Sequence, residues 1–168
     1  MFSMYDASIP PILRALNNLS HILNKGEAHA NAKEIELAVL FNARLFPDMF
    51  PLSRQVQIAT DMSKGAAARL ARLEVPSYDD NETTFADLQA RIAKTIALIE
   101  AVTPAQLEGA EKRDIEIMVR KAKMEFTGQD YLQKWVMPNV YFHVATTYNI
   151  LRHNGVELGK PDFLRGKS

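Results

Sequence analysis

The sequence predicts an all-α fold, an antiparallel four-helix bundle with a small β-hairpin before the last helix. Three observations carry that expectation. Four long stretches repeat apolar residues every three or four positions. Residues that start or stop helices stand at their ends. Residues 113–126 depart from this rhythm to a period of two.

The first stretch covers about residues 8–25, with Ile9, Ile12, Leu13, Leu16, Leu19, Ile22 and Leu23 at helical spacing. Ser8 is suited to the N-cap, Pro10 and Pro11 to a first turn where no N–H is needed, and Gly26 to the stop. Residues 27–51 are less regular. EIELAVLFNARLFP holds a short helix or two turns, and the apolar FNARLFPDMFP is expected to pack down.

The second stretch, about 52–73, aligns Leu52, Val56, Ala59, Met62, Ala66, Leu70 and Leu73. PSYDDNET then reads as a loop. The third, about 85–102, presents Leu88, Ile92, Ile96 and Ile99, with Thr84 and Asp87 spaced as a capping box. In RDIEIMVRKAKMEF, Ile115, Ile117 and Val119 alternate with polar neighbours and RKAK supplies a turn, so a hairpin is expected. A helix is the competing reading, because Met, Lys, Arg and Glu favour one. The fourth stretch, about 128–154, begins with Thr127 and Asp130 at capping spacing and ends at Gly155. Pro138 falls inside it and should kink or break it by crowding the Lys134 carbonyl. GVELGKPDFLRGKS is expected to be extended or irregular.

Composition limits the function. The 168 residues suit one domain, taken as 1–168, with 47% hydrophobic and 24% charged residues. Twenty basic residues balance twenty acidic ones. No basic excess points to nucleic acid or an anionic membrane, and a near-neutral chain repels its copies weakly. Cysteine is absent, which removes disulfides, thiolate metal sites and cysteine nucleophiles. MFSMYDASIPPIL does not read as a signal peptide and no uncharged apolar run reaches ~18 residues, so a cytoplasmic location is expected. GxGxxG, Walker A, HExxH, GxSxG and paired Glu-x-x-His motifs are absent, and GVELGK is too short for a phosphate loop.

Of the four histidines, His21 falls opposite its apolar stripe and is expected in solvent. His29 lies in the irregular stretch, and His153 suits a helix C-terminus. His143 lies among Leu132, Val136, Val140, Ile150 and Leu151, with Asn139 one turn before it and Thr146 and Thr147 one turn after. Two readings stand: a core histidine satisfied by hydrogen bonds, or the floor of a polar pocket. Arg54, Gln57, Asp61 and Lys64 share the other face of the second stretch, as a solvated ion-paired face or as the wall of a cleft. Gln55 is nearer the core stripe and competes with Gln57 to face His143.

MYDASIPPIL, FNARLFPDMFPLSRQVQIATD, FTGQDYL, PNVYFHVATTYNILRHNGV and GKPDFL together resemble the DinB/YfiT-like superfamily of metalloenzymes, and within it the branch called domain of unknown function 1993. The resemblance covers nearly the whole chain. It implies a four-helix bundle, often dimeric, in which metal-binding members hold a divalent ion such as zinc or nickel with three histidines. Two of these come as His-x-x-x-His from the last helix. Those positions fall on Asn139 and His143 here, and the third falls at or near Gln57. Amides are poor ligands for such ions, so no tightly held metal is expected; one that did bind would use His143, Asn139 and Gln57. Asp61, one turn beyond Gln57, is a further carboxylate.

The resulting expectation is a homodimeric small-molecule-binding or stress-associated protein with a degenerate metal site. Asn139, His143, Gln57, Asp61, Gln55 and Thr147 would line its pocket. The alternative is a transferase or hydrolase, metal-dependent or with His143 as general base. A purely structural dimerisation module is a third reading.

Overall fold

A computed structural model describes residues 3–165. Among them the chain is mostly helical, with four long helices, α1 (Met4–Ala32), α3 (Leu52–Leu70), α4 (Phe85–Glu100) and α6 (Met137–His153). Shorter ones are α2 (Leu37–Asn42), α5 (Gly128–Asp130) and α7 (Lys160–Arg165), so the count exceeds the four expected. The hairpin is present as antiparallel β1 (Asp114–Val119) and β2 (Ala122–Thr127).

α3 is the central element. It packs against α6, α4 and α1. Its small residues Ala66, Ala67 and Ala68 are buried, which lets those neighbours approach closely. Ile9, Ile12, Leu16, Leu19 and Leu23 of α1 meet Leu52, Val56 and Leu70 of α3 in one core, joined by Leu88 and Ile92 of α4 and Val140 and Ile150 of α6. Leu73, placed on the α3 stripe by periodicity, lies beyond the helix end and is exposed.

α1 starts earlier than its apolar pattern. Ser3 and Asp6 form a reciprocal capping box, and Ser8 instead lies buried inside the helix, donating to the Met4 carbonyl at 2.6 Å. Pro10 and Pro11 are therefore past the first turn. The carbonyls they leave without helical donors belong to Asp6 and Ala7, which are not buried. Nor does Gly26 end the helix. It is buried against α6, where an added Cβ would stand 3.0 Å from the Leu151 methyls. His29 consequently sits in the last turn of α1.

The segment FNARLFPDMFP packs only in part. Phe41 is buried, whereas Phe46 and Phe50 are 63% and 56% exposed. The tail is not irregular. α7 returns to α1, where Asp162 accepts from His21 at 2.8 Å and Lys25 at 3.1 Å, and Asn18 donates to the Phe163 carbonyl at 2.6 Å. His21 is thus engaged, because the face opposite its stripe is where α7 docks. Burial opposes the Asp162 charge, but the Gly159 N–H, His21 and Lys25 outweigh it and hold its carboxyl down to about 2.

Pro138 reshapes the chain upstream of itself. Residues Tyr131–Val136 take a π-helical turn between α5 and α6, a wider winding that accommodates the ring where an α-helix would clash. In the hairpin, Ile115 and Ile117 face the core and Arg120 takes the left-handed turn position at φ 57°. Arg113 ties its base to the Gln106 and Glu108 carbonyls at 2.8 and 2.7 Å.

Hairpin and last helices meet at Gly128, where an added Cβ would lie 1.8 Å from the backbone oxygen of Ala110. Only backbone movement relieves that clash. Gly128→Ala is therefore expected to lower stability by about 2–3 kcal/mol in urea unfolding. An unchanged midpoint would show that the two segments are not locked together there.

Candidate functional site

His143 lies on the face of α6 that meets α3 and is 8% exposed. Its Nδ1 is 2.7 Å from Oε1 of Gln55, which is 2% exposed on α3. The Gln55 amide nitrogen donates to the Phe50 carbonyl at 3.0 Å. That contact fixes the orientation of the Gln55 amide, so its oxygen faces the imidazole. Nδ1 must then carry the proton and Nε2 the lone pair. Among the described residues Nε2 has no hydrogen-bond partner, and it is not among the side-chain atoms sealed from solvent without one.

Burial, reinforced by the nearby Arg54 charge, pushes the His143 pKa down to about 4. The ring is neutral at physiological pH. Phe142 stands edge-on to it at 5.2 Å between centroids and 88° between planes. Phe142 is more than half exposed, so one apolar ring lies at the surface beside this imidazole.

The other residues expected at the pocket are committed elsewhere. Asn139 donates to the Trp135 carbonyl at 2.6 Å, within its own helical segment. Thr147 donates to the His143 carbonyl at 2.9 Å and Thr146 to that of Phe142 at 2.7 Å. Gln57 is buried but donates to Glu82 at 2.8 Å and accepts from Arg54 at 3.0 Å. Asp61 accepts from Lys64 at 2.6 Å and Arg91 at 2.8 Å. Of the two helix-three candidates for facing His143, the hydrogen bond goes to Gln55.

Gln57 and Asp61 belong to a second cluster centred on Arg91. Its side chain is 2% exposed and pairs with Asp61, Asp80 and Glu82 at 2.8, 3.1 and 2.8 Å, and it donates to Thr60 at 2.8 Å and the Asp79 carbonyl at 3.1 Å. Arg54 also pairs with Asp80. Burial works against the Arg91 charge, but the Glu82 hydrogen bond and the three carboxylates outweigh it and raise its pKa. Tyr78 lies beneath Lys64 and Lys94, at 3.8 and 4.2 Å from its ring centre. The polar face of α3 is thus roofed by the connection to α4 rather than solvated. Arg91 was hidden by its place between Leu88 and Thr95 on the apolar face of α4. The acids of PSYDDNE were the one hint that a buried cation needed partners.

These donors do not fit the three-histidine metal site. Gln57 already uses its amide oxygen to accept a guanidinium proton, Asn139 offers a neutral amide, and the Arg54 charge disfavours a further cation beside His143. Among the described residues, no three His, Cys, Asp or Glu side chains gather as a metal site. Nor is any helix there long and apolar enough to cross a membrane.

A family model described as "Domain of unknown function (DUF1993)" matches residues 4–164. A crystal structure of a DinB family member protein from Shewanella denitrificans is 41% identical in sequence. The match covers 96% of this chain and 91% of that one, with a TM-score of 0.90. No curated protein matches the chain.

The His143 environment has a consequence for stability. As pH falls below the ordinary value of 6.5, the unfolded chain takes up a proton that the folded imidazole refuses until about pH 4. This contribution to stability therefore declines across that window, by about 3 kcal/mol at about 1.4 kcal/mol per unit. Urea unfolding at about pH 7 and about pH 4.5 should show His143→Gln losing less stability on acidification than the parent. Parallel losses in the two proteins would exclude a depressed pKa at His143.

Proposed function

The chain belongs to the DUF1993 family, and on that premise we propose that it is a small-molecule-binding protein of DinB-like, antiparallel four-helix-bundle architecture that works without a tightly held metal. The Phe50–Gln55–His143 relay carries this reading. It supports His143 Nε2 as a neutral hydrogen-bond acceptor of fixed tautomer, beside the exposed Phe142 ring. The fitting ligand offers an O–H or N–H to Nε2 and an apolar edge to the Phe142 ring.

The alternative, a transferase or hydrolase with His143 as general base, draws on the same open Nε2. A pKa pushed down to about 4 weighs against it, since the deprotonated ring is a weak base at neutral pH. Gln57 and Asp61 are held by Arg54, Glu82 and Arg91, which further favours binding over chemistry.

Thermal-shift screening of a metabolite library, with elemental analysis of the same protein, tests the reading. A ligand that raises the melting temperature of the parent and not of His143→Leu is expected, without stoichiometric divalent metal. A stoichiometric metal lost on His143→Ala would overturn it. So would the absence of any stabilising ligand combined with a His143→Leu variant more stable than the parent.

We further propose that the protein is a cytoplasmic homodimer. Its zero formal charge and its exposed apolar side chains, Phe142 among them, favour self-association. Light scattering at tens of micromolar should give twice the monomer mass, and Phe142→Ser should shift it toward one. A monomeric parent would refute the dimer.

A further inference from the structure

A second candidate site lies on the other side of α6. α1, α6 and α7 enclose a cleft of about 500 Å³, within the size range of small-molecule pockets. Buried Ala15 and Val144 contribute apolar surface, and the rings of Tyr141 and Phe163 line it further. Arg14 and Asn18 supply polar groups. They are four residues apart on α1 and so share one face of it.

Neither polar group is used up by the fold. Among the described residues Arg14 makes no ion pair, whereas Asp162 holds Lys25, another cation of α1. Asn18 is 4% exposed, and its Nδ2 donates to the Phe163 carbonyl at 2.6 Å. That bond leaves Oδ1 as an acceptor. Oδ1 takes no hydrogen bond among the described residues, yet it is not among the atoms sealed from solvent. A nearly buried amide with an open oxygen, lining an apolar cleft, lacks a donor that the protein itself does not supply.

α7 contributes one wall of this cleft and is docked by side chains with no part in the His143 relay. Asp162 binds His21 and Lys25, and the Phe163 ring packs edge-on against Tyr148 at 6.4 Å. The cleft therefore exists because the tail folds back on α1.

We propose that this cleft binds an amphipathic acid that carries a hydrogen-bond donor beside its carboxylate, such as an N-acyl amino acid. The carboxylate pairs with Arg14, the adjacent N–H donates to Asn18 Oδ1, and the acyl chain lies against Ala15, Val144 and Phe163. Charge-assisted pairing then selects against neutral lipids, and the buried amide against simple fatty acids that lack the N–H.

Isothermal titration with N-decanoylglycine, its methyl ester and decanoate, each below its micelle concentration, tests the assignment. N-decanoylglycine should bind best, with the ester and decanoate each about tenfold weaker. Arg14→Met should weaken the acid about tenfold and leave the ester unchanged, whereas Lys121→Met on the hairpin turn alters neither. Arg14 is exposed, so this variant is expected to fold. Equal binding of acid and ester, binding indifferent to Arg14→Met, or no binding of N-decanoylglycine would each overturn the proposal.

Discussion

A guanidinium held out of water between α3 and α4 must be neutralised where it stands. Arg91 meets that constraint with carboxylates from two directions: Asp61 on α3, and Asp80 and Glu82 on the connection to α4. Within the cluster the cations Arg54, Lys64 and Arg91 balance the anions Asp61, Asp80 and Glu82. Removing Arg91 takes from Asp61, Asp80 and Glu82 the cation they share, and Glu82, the least exposed of the three, bears most of the cost. The requirement accounts for the course of PSYDDNET, a polar loop by composition that is drawn over the helices by its acids.

The same cluster divides α3 into two polar territories. Gln57 and Asp61 are consumed by Arg91 and its partners, so they are not at liberty beside His143. Gln55, on another face of the helix, remains for that role. Arg54 spans the two, paired with Asp80 on one side while its charge helps keep the imidazole neutral on the other. A cation in that position is compatible with a neutral or anionic ligand and incompatible with a second cation nearby.

Much of the fold was legible because hydrophobic periodicity reports what each segment buries. The long helices, the capping box at Thr84 and the hairpin of residues 113–126 all follow from local pattern. The failures have a common physical cause, which is dependence on residues distant in the chain. Ser8 had the right chemistry for a cap, but the Ser3–Asp6 box lies earlier and buries Ser8 in the second turn. Gly26 looked like a stop and is a close-contact residue, needed by Leu151 over a hundred positions away. His21 looked solvated because its partner, Asp162, sits in a tail without a long apolar repeat. Arg91 occupied an apolar face, where a charge is legible only once its carboxylates are known to converge.

His143 shows how a site's support can persist when the residues once expected to share it do other work. An imidazole becomes a directional group when its second nitrogen is held by an oxygen acceptor, because that contact sets both tautomer and orientation. Gln55 provides the contact here, and the Phe50 carbonyl in turn prevents the amide from reversing. The arrangement is indifferent to what meets Nε2; it ensures only that a lone pair is offered at a defined place. With histidine absent at Asn139 and Gln57, and Arg54 supplying positive charge, that lone pair is best matched by the hydrogen of an O–H or N–H group. The chemistry of the site is therefore set less by the histidine itself than by the amides and the cation around it.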